Sequence, residues 1–304
     1  MNSNRFECQT FIESELGCSD PTLLQNFKDA FLTYSLPQGK VEELKNASKN
    51  DAKDLFYKST LSYLEATYGI INNHSSWAIV KLYYSIFYSL RVVLLLSNYA
   101  IFKNGSGDIF SLKIKENETP QKISTRSIRG DHKCTIKAFK EIFGDSEILN
   151  TNTIDDKNIF DWIMSYRELV NYRINSFTEP DFGYSVLPKL VSDPVHYDTL
   201  ANNYISNQLY IYCFDPDHSI YATPLVLLNK AIEKFSDLDV HGVFNSKRFT
   251  VVSNIIKSMG LQDSYIMKSV FLNAKEDEID DGDADGDVGV DGDAGVNGDA
   301  GVDV

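Results

Sequence analysis

The sequence predicts a mainly α-helical protein whose centre is a helical bundle. Apolar residues recur at helical spacing over two long segments, residues 51–71 and 77–98. Hydrophobic residues make up 43% of the chain and aromatic residues 12%, which is typical of a globular protein with a substantial core. We divide the chain into four parts: an N-terminal helical extension (1–50), a helical bundle (51–183), an appended helix-rich region (184–275) and a disordered acidic tail (276–304).

The first half of the chain predicts three helices. A helix is predicted over residues 22–34, in the N-terminal extension. Asp and Pro mark its start and a Pro-Gln-Gly turn marks its end. The bundle then opens with a helix over 51–71. Ser75 or Ser76 can cap the next helix, over 77–98.

The helix over 77–98 is apolar on most sides, which predicts that it lies inside the bundle. Its polar and aromatic residues form one stripe: Lys81, Tyr84, Ser85, Tyr88 and Arg91. A polar stripe on a buried helix needs partners or lines a groove. Lys81 and Arg91 also divide the apolar run into pieces too short to span roughly 30 Å of hydrocarbon. We therefore predict no membrane segment.

The second half of the bundle predicts a long loop and two helices. Residues 103–131 are rich in Gly, Ser, Thr and Lys, which is typical of a loop that is mobile or functional. A helix over 132–143 follows. Asp155 or Asp156 can cap a further helix that ends near Asn175.

The region beyond the bundle, which Pro and Gly end at residues 180–183, predicts helices and two short strands. The strands, 209–214 and 219–223, form a possible β-hairpin because an Asp-Pro-Asp turn separates them. Helices are predicted over 224–235 and 246–259.

The net charge of −14 is concentrated in the tail. Twelve of the 43 acidic residues and none of the 29 basic residues lie at 276–304, which leaves 31 acidic and 29 basic residues elsewhere. A nearly neutral body is compatible with a local basic patch that binds nucleic acid. The Gly, Asp, Val and Ala repeats of the tail cannot bury enough apolar surface to fold. Asp281, Asp283 and Asp285 match the start of an EF-hand loop, but Gly292 stands where that loop needs Glu, so no calcium site is predicted.

The four cysteines predict reduced, mostly buried thiols in a cytoplasmic protein. They contain no CxxC pair, so a zinc site is not expected. The chain also lacks the GxxxxGK[ST], GxGxxG, HExxH and GxSxG patterns, and we predict no cofactor.

Three blocks, in this order, resemble the HEPN superfamily. Ala78–Arg91 resembles the long aromatic second helix of that family, Asp131–Phe139 its His-initiated third helix, and Tyr166–Tyr172 its final Arg-containing helix. The resemblance covers residues 51–180 and is closest to small HEPN proteins encoded beside minimal nucleotidyltransferases. It implies a four-to-five-helix bundle, a homodimer and, in active members, a metal-independent ribonuclease with an Arg, four to six residues, then His.

Arg167 matches the arginine of that motif, which the resemblance implies binds and stabilises the scissile phosphate. The His position holds Tyr172, or Asn171 one residue earlier. Tyrosine, with a pKa of about 10, is a poor base near neutrality, although both side chains can hydrogen-bond a phosphate or a ribose. Arg126 and His132 also satisfy the Arg-to-His spacing. A middle hypothesis has His132 transferring protons in space while Arg167 binds the phosphate.

A basic stripe supplies the predicted RNA contacts: Arg126, Arg129, Lys133, Lys137 and Lys140, with Lys81 and Tyr84 lining the groove. The structural alternatives are a solvated lysine face and an ordinary ion pair between Arg167 and Asp161 or Glu141.

The predicted function is a HEPN-type metal-independent endoribonuclease effector in a prokaryotic toxin or anti-phage defence system, with RNA and a second copy of the chain as partners. The alternative is a catalytically degenerate HEPN subunit that binds nucleic acid or a partner protein from the same operon. A third hypothesis is an oligomeric scaffold in which residues 184–275 form the partner surface.

Overall fold

The computed structural model describes residues 5–179 and 184–272, and the predicted mainly helical class is confirmed. The predicted end of the bundle at 180–183 and the predicted acidic tail lie outside the described residues. The α-helices of the described ranges are α1 (Glu7–Glu15), α2 (Lys28–Thr33), α3 (Val41–Ile71), α4 (Ser75–Leu96), α5 (Asp131–Phe143), α6 (Ile159–Glu168), α7 (Pro194–Ser206), α8 (Ser219–Asp237), α9 (Ser246–Ser258) and α10 (Tyr265–Met267). The strands are β1 (Tyr99–Lys103), β2 (Ile109–Lys113), β3 (Gln121–Lys122), β4 (Thr153–Ile154) and β5 (Lys157–Asn158). Short 3-10 helices lie at Pro21–Phe27, Gln38–Lys40, Gly144–Ser146, Ile148–Asn150 and Ile211–Phe214, and π-helices at Leu169–Arg173 and Lys268–Leu272.

The long helices α3 and α4 form the centre of the bundle, and α8, α5 and α6 pack around α4. Within the described residues, α4 alone is long and apolar enough to cross a membrane, but 78% of its most apolar window is buried inside the protein. This is how the core helix of a soluble protein behaves, and it agrees with the prediction of a buried helix.

The helices before residue 72 differ from the prediction in their bounds and type. Helix α3 begins at Val41, so the expected boundary between residues 50 and 51 falls inside a continuous helix. Glu42 and Glu43 lie in its first turn, where negative charge is favourable to the helix dipole. The helix expected over 22–34 is instead a 3-10 helix followed by the short α2.

Helix α4 begins at Ser75, two residues before the predicted start at 77, and its cap comes from elsewhere. The backbone N–H and the hydroxyl of Ser76 both donate to the carboxylate of Glu179, which follows α6 in the chain. Neither Ser75 nor Ser76 caps the helix with its own side chain. The distant carboxylate therefore satisfies the helix N-terminus and ties it to the end of the bundle.

The prediction of a loop over 103–131 is wrong for the first half of that segment. Strands β1, β2 and β3 form an antiparallel sheet, with Phe102 opposite Phe110 and both rings buried. The turn between β1 and β2 is held by the Asn104 side chain, which accepts from the backbone N–H groups of Ser106 and Asp108.

The predicted cap of the helix after residue 156 is also wrong. Asp155 and Asp156 both have positive φ and form the two-residue turn between β4 and β5. The side chain of Asn158 caps α6 by accepting from the N–H of Phe160 at 3.1 Å. The helix then ends in a π-helical turn at Arg173, two residues before the predicted end near Asn175.

The C-terminal region contains no β-hairpin within 184–272; the strands predicted at 209–214 and 219–223 are a 3-10 helix and the first turns of α8. Helix α8 packs on α4, and its buried residues belong to the same core as those of α3 and α4. Buried hydroxyl pairs also join the regions, with Tyr63 and Tyr197 at 3.0 Å and Thr67 and Tyr221 at 2.8 Å. The predicted α9 helix is present, and all four cysteines are buried and unpaired, as expected.

Candidate functional site

The predicted stripe on α4 is partly exposed, with one exception, and we call this face of the helix, from Lys81 to Arg91, the groove. Tyr84, Tyr88 and Arg91 are partly exposed, and the rings of Tyr84 and Tyr88 stack with centroids 6.0 Å apart. Ser85 is fully buried and its hydroxyl lies 3.0 Å from that of Ser59, so it belongs to the packing between α3 and α4. From Lys81 to Arg91 the helix rises about 15 Å, which sets the length of the groove.

The structure gathers five of the aromatic and basic side chains at one end of this groove, which we call the Arg167 cluster: Arg167, Tyr83, Tyr84, His132 and Tyr172. The Arg167 guanidinium carbon lies 5.5, 5.8 and 5.4 Å from the ring centroids of Tyr83, Tyr84 and Tyr172. Its Nη2 donates to the Tyr84 hydroxyl at 3.5 Å. Burial opposes the charge of Arg167, but the hydrogen bond and charge interaction with Tyr84 raise its pKa overall, so the guanidinium stays charged.

The π-helical turn explains how Tyr172 reaches Arg167. In a regular α-helix, residues five apart point about 140° away from each other. From Leu169 the backbone pairs five residues apart, with the Ile174 N–H donating to the Leu169 carbonyl at 3.1 Å. This wider turn brings Tyr172 to the face of Arg167, and its side chain remains 71% exposed. Such π-turns are frequent at functional sites.

His132, at the start of α5, contacts the same tyrosines. Its Nδ1 lies 2.8 Å from the Tyr83 hydroxyl, and its ring packs 4.1 Å from the centroid of Phe87. Burial, followed by the positive charge of Arg167, lowers the pKa of His132 below its usual value. Burial also raises the pKa of Tyr83, so at neutral pH the pair is a neutral imidazole beside a neutral phenol. The tautomer that donates Nδ1–H to Tyr83 leaves the Nε2 lone pair as a base.

The ion pairs considered for Arg167 are absent in the described residues. Asp161 lies 3.5 Å from Lys140, and Glu141 lies 3.6 Å from Lys137. The Nε of Arg167 is buried without a hydrogen-bond partner among the described residues. The salt-bridge alternative for Arg167 is therefore wrong, and the guanidinium has unused donors in a groove.

The predicted basic stripe lies apart from the Arg167 cluster. Lys133, Lys137 and Lys140 line a separate hollow between α5 and α6. Lys137 and Lys140 have the acidic partners named above, and Lys137 also donates to the Ile123 carbonyl at 2.9 Å. Lys133, Arg126 and Arg129 are exposed and form no ion pair within the described residues. The pairing of Lys137 and Lys140 weakens the α5 part of the stripe as a phosphate track, and a solvated face describes that part better.

The remaining predicted residues surround the groove. Lys81 is one turn from Tyr84 but forms an ion pair with Glu65 at 2.9 Å. Arg126 and Arg129 are exposed on the segment that leads into α5. Asn171 is partly buried in the π-helical turn. No group of three or more His, Cys, Asp or Glu side chains in the described part of the chain is placed to hold a metal ion.

The sequence pattern missed the opposite end of the groove. There Arg91 and Lys58 of α3 both contact the ring of Phe6, which precedes α1 in the chain. The stripe identified Arg91, but helical spacing within α4 carries no signal for partners on other elements. The buried Tyr83 is also absent from the predicted stripe, although its hydroxyl positions His132.

Comparisons with known protein families, curated proteins and solved structures find no match to this chain. The HEPN resemblance of the three sequence blocks thus stays a prediction. The three blocks do meet in space, because α4, α5 and α6 supply the Arg167 cluster.

Proposed function

We propose that this protein binds single-stranded RNA along α4 and cleaves it without a metal ion, as a HEPN-type endoribonuclease effector in a prokaryotic toxin or anti-phage defence system. The observation that carries this proposal is the convergence of Arg167 and His132, from two different helices, on Tyr83 and Tyr84. A charged fork without an acidic partner can bind a phosphate, and a neutral imidazole beside it can remove a proton, and metal-independent phosphodiester cleavage uses both of these functions.

In the proposed reaction, Arg167 binds the scissile phosphate and stabilises its developing negative charge. The imidazole of His132 removes the proton from the ribose 2'-hydroxyl, whose oxygen attacks phosphorus while the bond to the 5'-oxygen breaks. The imidazolium of His132 returns this proton, directly or through water, to the departing 5'-oxygen, which leaves a 2',3'-cyclic phosphate, a 5'-hydroxyl and a neutral imidazole. Tyr172 and Asn171 orient the ribose by hydrogen bonding.

The aromatic rings of the groove supply the binding surface for single strands. Bases stack on exposed aromatic side chains without strict sequence preference, at about 1–3 kcal/mol for each base. Tyr84, Tyr88 and Tyr172 present such rings. Beyond them, Trp77 and Phe177 are 52% and 42% exposed and contact each other at 5.7 Å. We place the contact with a second copy of the chain at this apolar pair.

The test is cleavage of single-stranded RNA by the purified chain in the presence of a chelator. We expect cleavage by the wild type, and a loss of at least about 100-fold in His132→Asn and in Arg167→Gln. RNA affinity separates the roles, because His132→Asn retains binding whereas Arg167→Gln loses it. Arg173→Gln is the matched control, since Arg173 is 67% exposed and only 3.5 Å from Glu168. Wild-type activity in both variants would refute the proposed site.

A second candidate function is a catalytically degenerate subunit that binds RNA or a partner protein from the same operon. The tyrosine and asparagine at the expected His position favour it, as does the packing of the His132 ring against Phe87. Binding of RNA without cleavage under any condition, with loss of binding in Arg167→Gln, would establish this second function over the first.

A further inference from the structure

A pocket of about 300 Å³ lies at the end of the groove opposite Arg167. We call it the Arg91 pocket. Its walls come from five elements, α1, α3, α4, β1 and α5, and the residues that define it are Phe6, Asp51, Lys58, Arg91, Lys103 and Asp131. Its size is at the lower end of the range for small-molecule sites, so it admits one compact group rather than a folded polymer.

Two cations in this pocket lack partners. The Arg91 guanidinium makes no hydrogen bond and no ion pair with a described residue, and its Nε is buried. Its contact is with the Phe6 ring, 4.8 Å from the guanidinium carbon. The Lys58 ammonium likewise touches only rings, at 5.1 Å from Phe6 and 6.0 Å from Tyr88. The Arg91 Nε is a donor taken from water without an acceptor, and Lys58 is an exposed cation in the same pocket lining. Together they favour an anionic ligand.

The acidic residues of the pocket are already engaged. The Asp51 carboxylate accepts from the backbone N–H groups of Glu7 and Cys8, at 2.7 and 2.9 Å, and so caps α1. Asp131 forms an ion pair with Lys103 at 2.7 Å.

Asp54, the third acidic residue of the lining, pairs with Arg248 at 2.6 Å. Arg5, on the rim, pairs with Glu13 at 2.5 Å. Asp131 and Asp51 both attract the Arg91 guanidinium. With the paired charges cancelled, Lys58 and Arg91 remain against the one carboxylate of Asp51, and the pocket keeps a positive charge.

The pocket is continuous with the groove. Tyr88 contacts Lys58 on one side and stacks on Tyr84 on the other, and Tyr84 contacts Arg167. From Tyr84 to Arg91 the helix rises about 10 Å. An anionic group in the pocket therefore lies one or two residues of a bound strand away from the Arg167 cluster.

We propose that the Arg91 pocket binds a phosphomonoester, either at the end of an RNA strand or on a free nucleotide, between the Arg91 guanidinium and the Lys58 ammonium. The choice of phosphate over other anions rests on the proposed RNA-binding function. The forked guanidinium contacts two phosphate oxygens, and the base lies toward the apolar side chains of Phe6, Leu95 and Ile101.

The test is calorimetric titration of the full chain with AMP, and with adenosine as the uncharged probe. AMP is expected to bind at least about tenfold more tightly than adenosine. Lys58→Ala is expected to weaken AMP binding about tenfold or more, because it removes one of the two free cations. Lys53→Ala is the matched control: Lys53 is on the same helix, outside the pocket lining, and its loss should leave the affinity within twofold.

Arg91→Lys tests the fork itself and keeps the positive charge. It should weaken AMP binding while urea unfolding shows an intact fold. No AMP binding at millimolar concentration, equal binding of adenosine, or equal loss in Lys58→Ala and Lys53→Ala would overturn the proposal.

Oligonucleotides with a phosphate at the 5' end, at the 3' end or at neither distinguish the source of the group. If a phosphorylated strand displaces AMP, the pocket binds an RNA end. If AMP binds and no phosphorylated strand displaces it, the pocket binds a free nucleotide. AMP binding without any RNA binding would refute the proposed function and leave the pocket in place. RNA cleavage without AMP binding would refute the phosphate pocket and leave the proposed function in place.

Discussion

Replacement of Arg167 by glutamine tests whether this arginine binds a ligand or only packs against its neighbours. The side chain contacts three tyrosine rings, and each such contact contributes about 0.5–1 kcal/mol at a partly exposed site. Against this, the substitution removes a buried Nε that lacks a partner among the described residues, which is itself unfavourable by about 1–3 kcal/mol. The two effects oppose each other, so the free energy of unfolding should change by only about 1 kcal/mol.

The effect of Arg167→Gln on RNA affinity should be much larger. A charge-assisted hydrogen bond to phosphate contributes about 1.5–3 kcal/mol, so affinity should fall roughly 10- to 150-fold. The loss of one phosphate contact should also reduce the slope of log affinity against log salt by about 0.7 for a single strand. Fluorescence anisotropy of a labelled oligonucleotide at several salt concentrations measures both quantities, and urea denaturation measures the stability.

The same measurements on Arg173→Gln give the control, because that exposed ion pair contributes about 0–1 kcal/mol to stability. A loss of more than about 3 kcal/mol in unfolding free energy, with unchanged RNA affinity of the folded protein, would show that Arg167 is a packing residue.

Three further predictions follow from other contacts. Burial and Arg167 lower the pKa of His132 below its usual value of about 6.5, so the free energy of unfolding should be highest above pH 6.5 and should fall as the pH drops from there through the lowered pKa of the folded state. NMR titration should show the pKa of His132 rise in Arg167→Gln, and an unchanged titration would contradict the proximity of the two residues. Gly105→Ala should destabilise the protein by about 1–3 kcal/mol more than Gly107→Ala in urea unfolding. Both glycines have positive φ, but only a Cβ at Gly105 would meet a backbone nitrogen, at 2.6 Å. Equal effects of the two substitutions would rule out that clash. Asp198→Asn should cost about 1–3 kcal/mol and speed hydrogen exchange in α10, because the carboxylate accepts two backbone N–H groups there, and unaltered exchange would show the cap to be dispensable.

The long helices could be predicted from sequence because their signal is local and repeated. The apolar spacing that predicts α3 and α4 extends over many turns, and burial of that face is what stabilises them. The short strands β1 and β2 were missed because Gly105 and Gly107 suggest a loop. Burial alternates along β1, and Phe102 lies opposite Phe110, as in a half-buried hairpin. The segment 219–223 was assigned to a strand from its β-branched and aromatic residues. All five of its side chains are buried on α8, and tertiary packing decided the conformation.

The site was predictable only in part, for the same physical reason. Arg167, Tyr84 and His132 could be identified because each lies in a block of recognisable sequence. Their meeting depends on how α5 and α6 pack on α4, and no spacing along the chain encodes that packing. The contact of Tyr172 with Arg167 depends on a π-helical turn, and a regular helix would have separated the two.

Charge pairing supports a ligand in the groove more strongly than any single contact does. Around the groove the acidic residues already have partners: Asp161 with Lys140, and Asp131 with Lys103. The two arginines of the groove, Arg91 and Arg167, instead face aromatic rings, and each has a buried Nε without a hydrogen bond in the described chain. A fold that needed these charges only for stability would gain by pairing them, since an unmet buried donor is unfavourable by about 1–3 kcal/mol. Two such donors at opposite ends of one aromatic stripe are explained if both donate to phosphates of one bound strand. The Arg91 and Arg167 variants should therefore both weaken RNA binding and leave the fold intact.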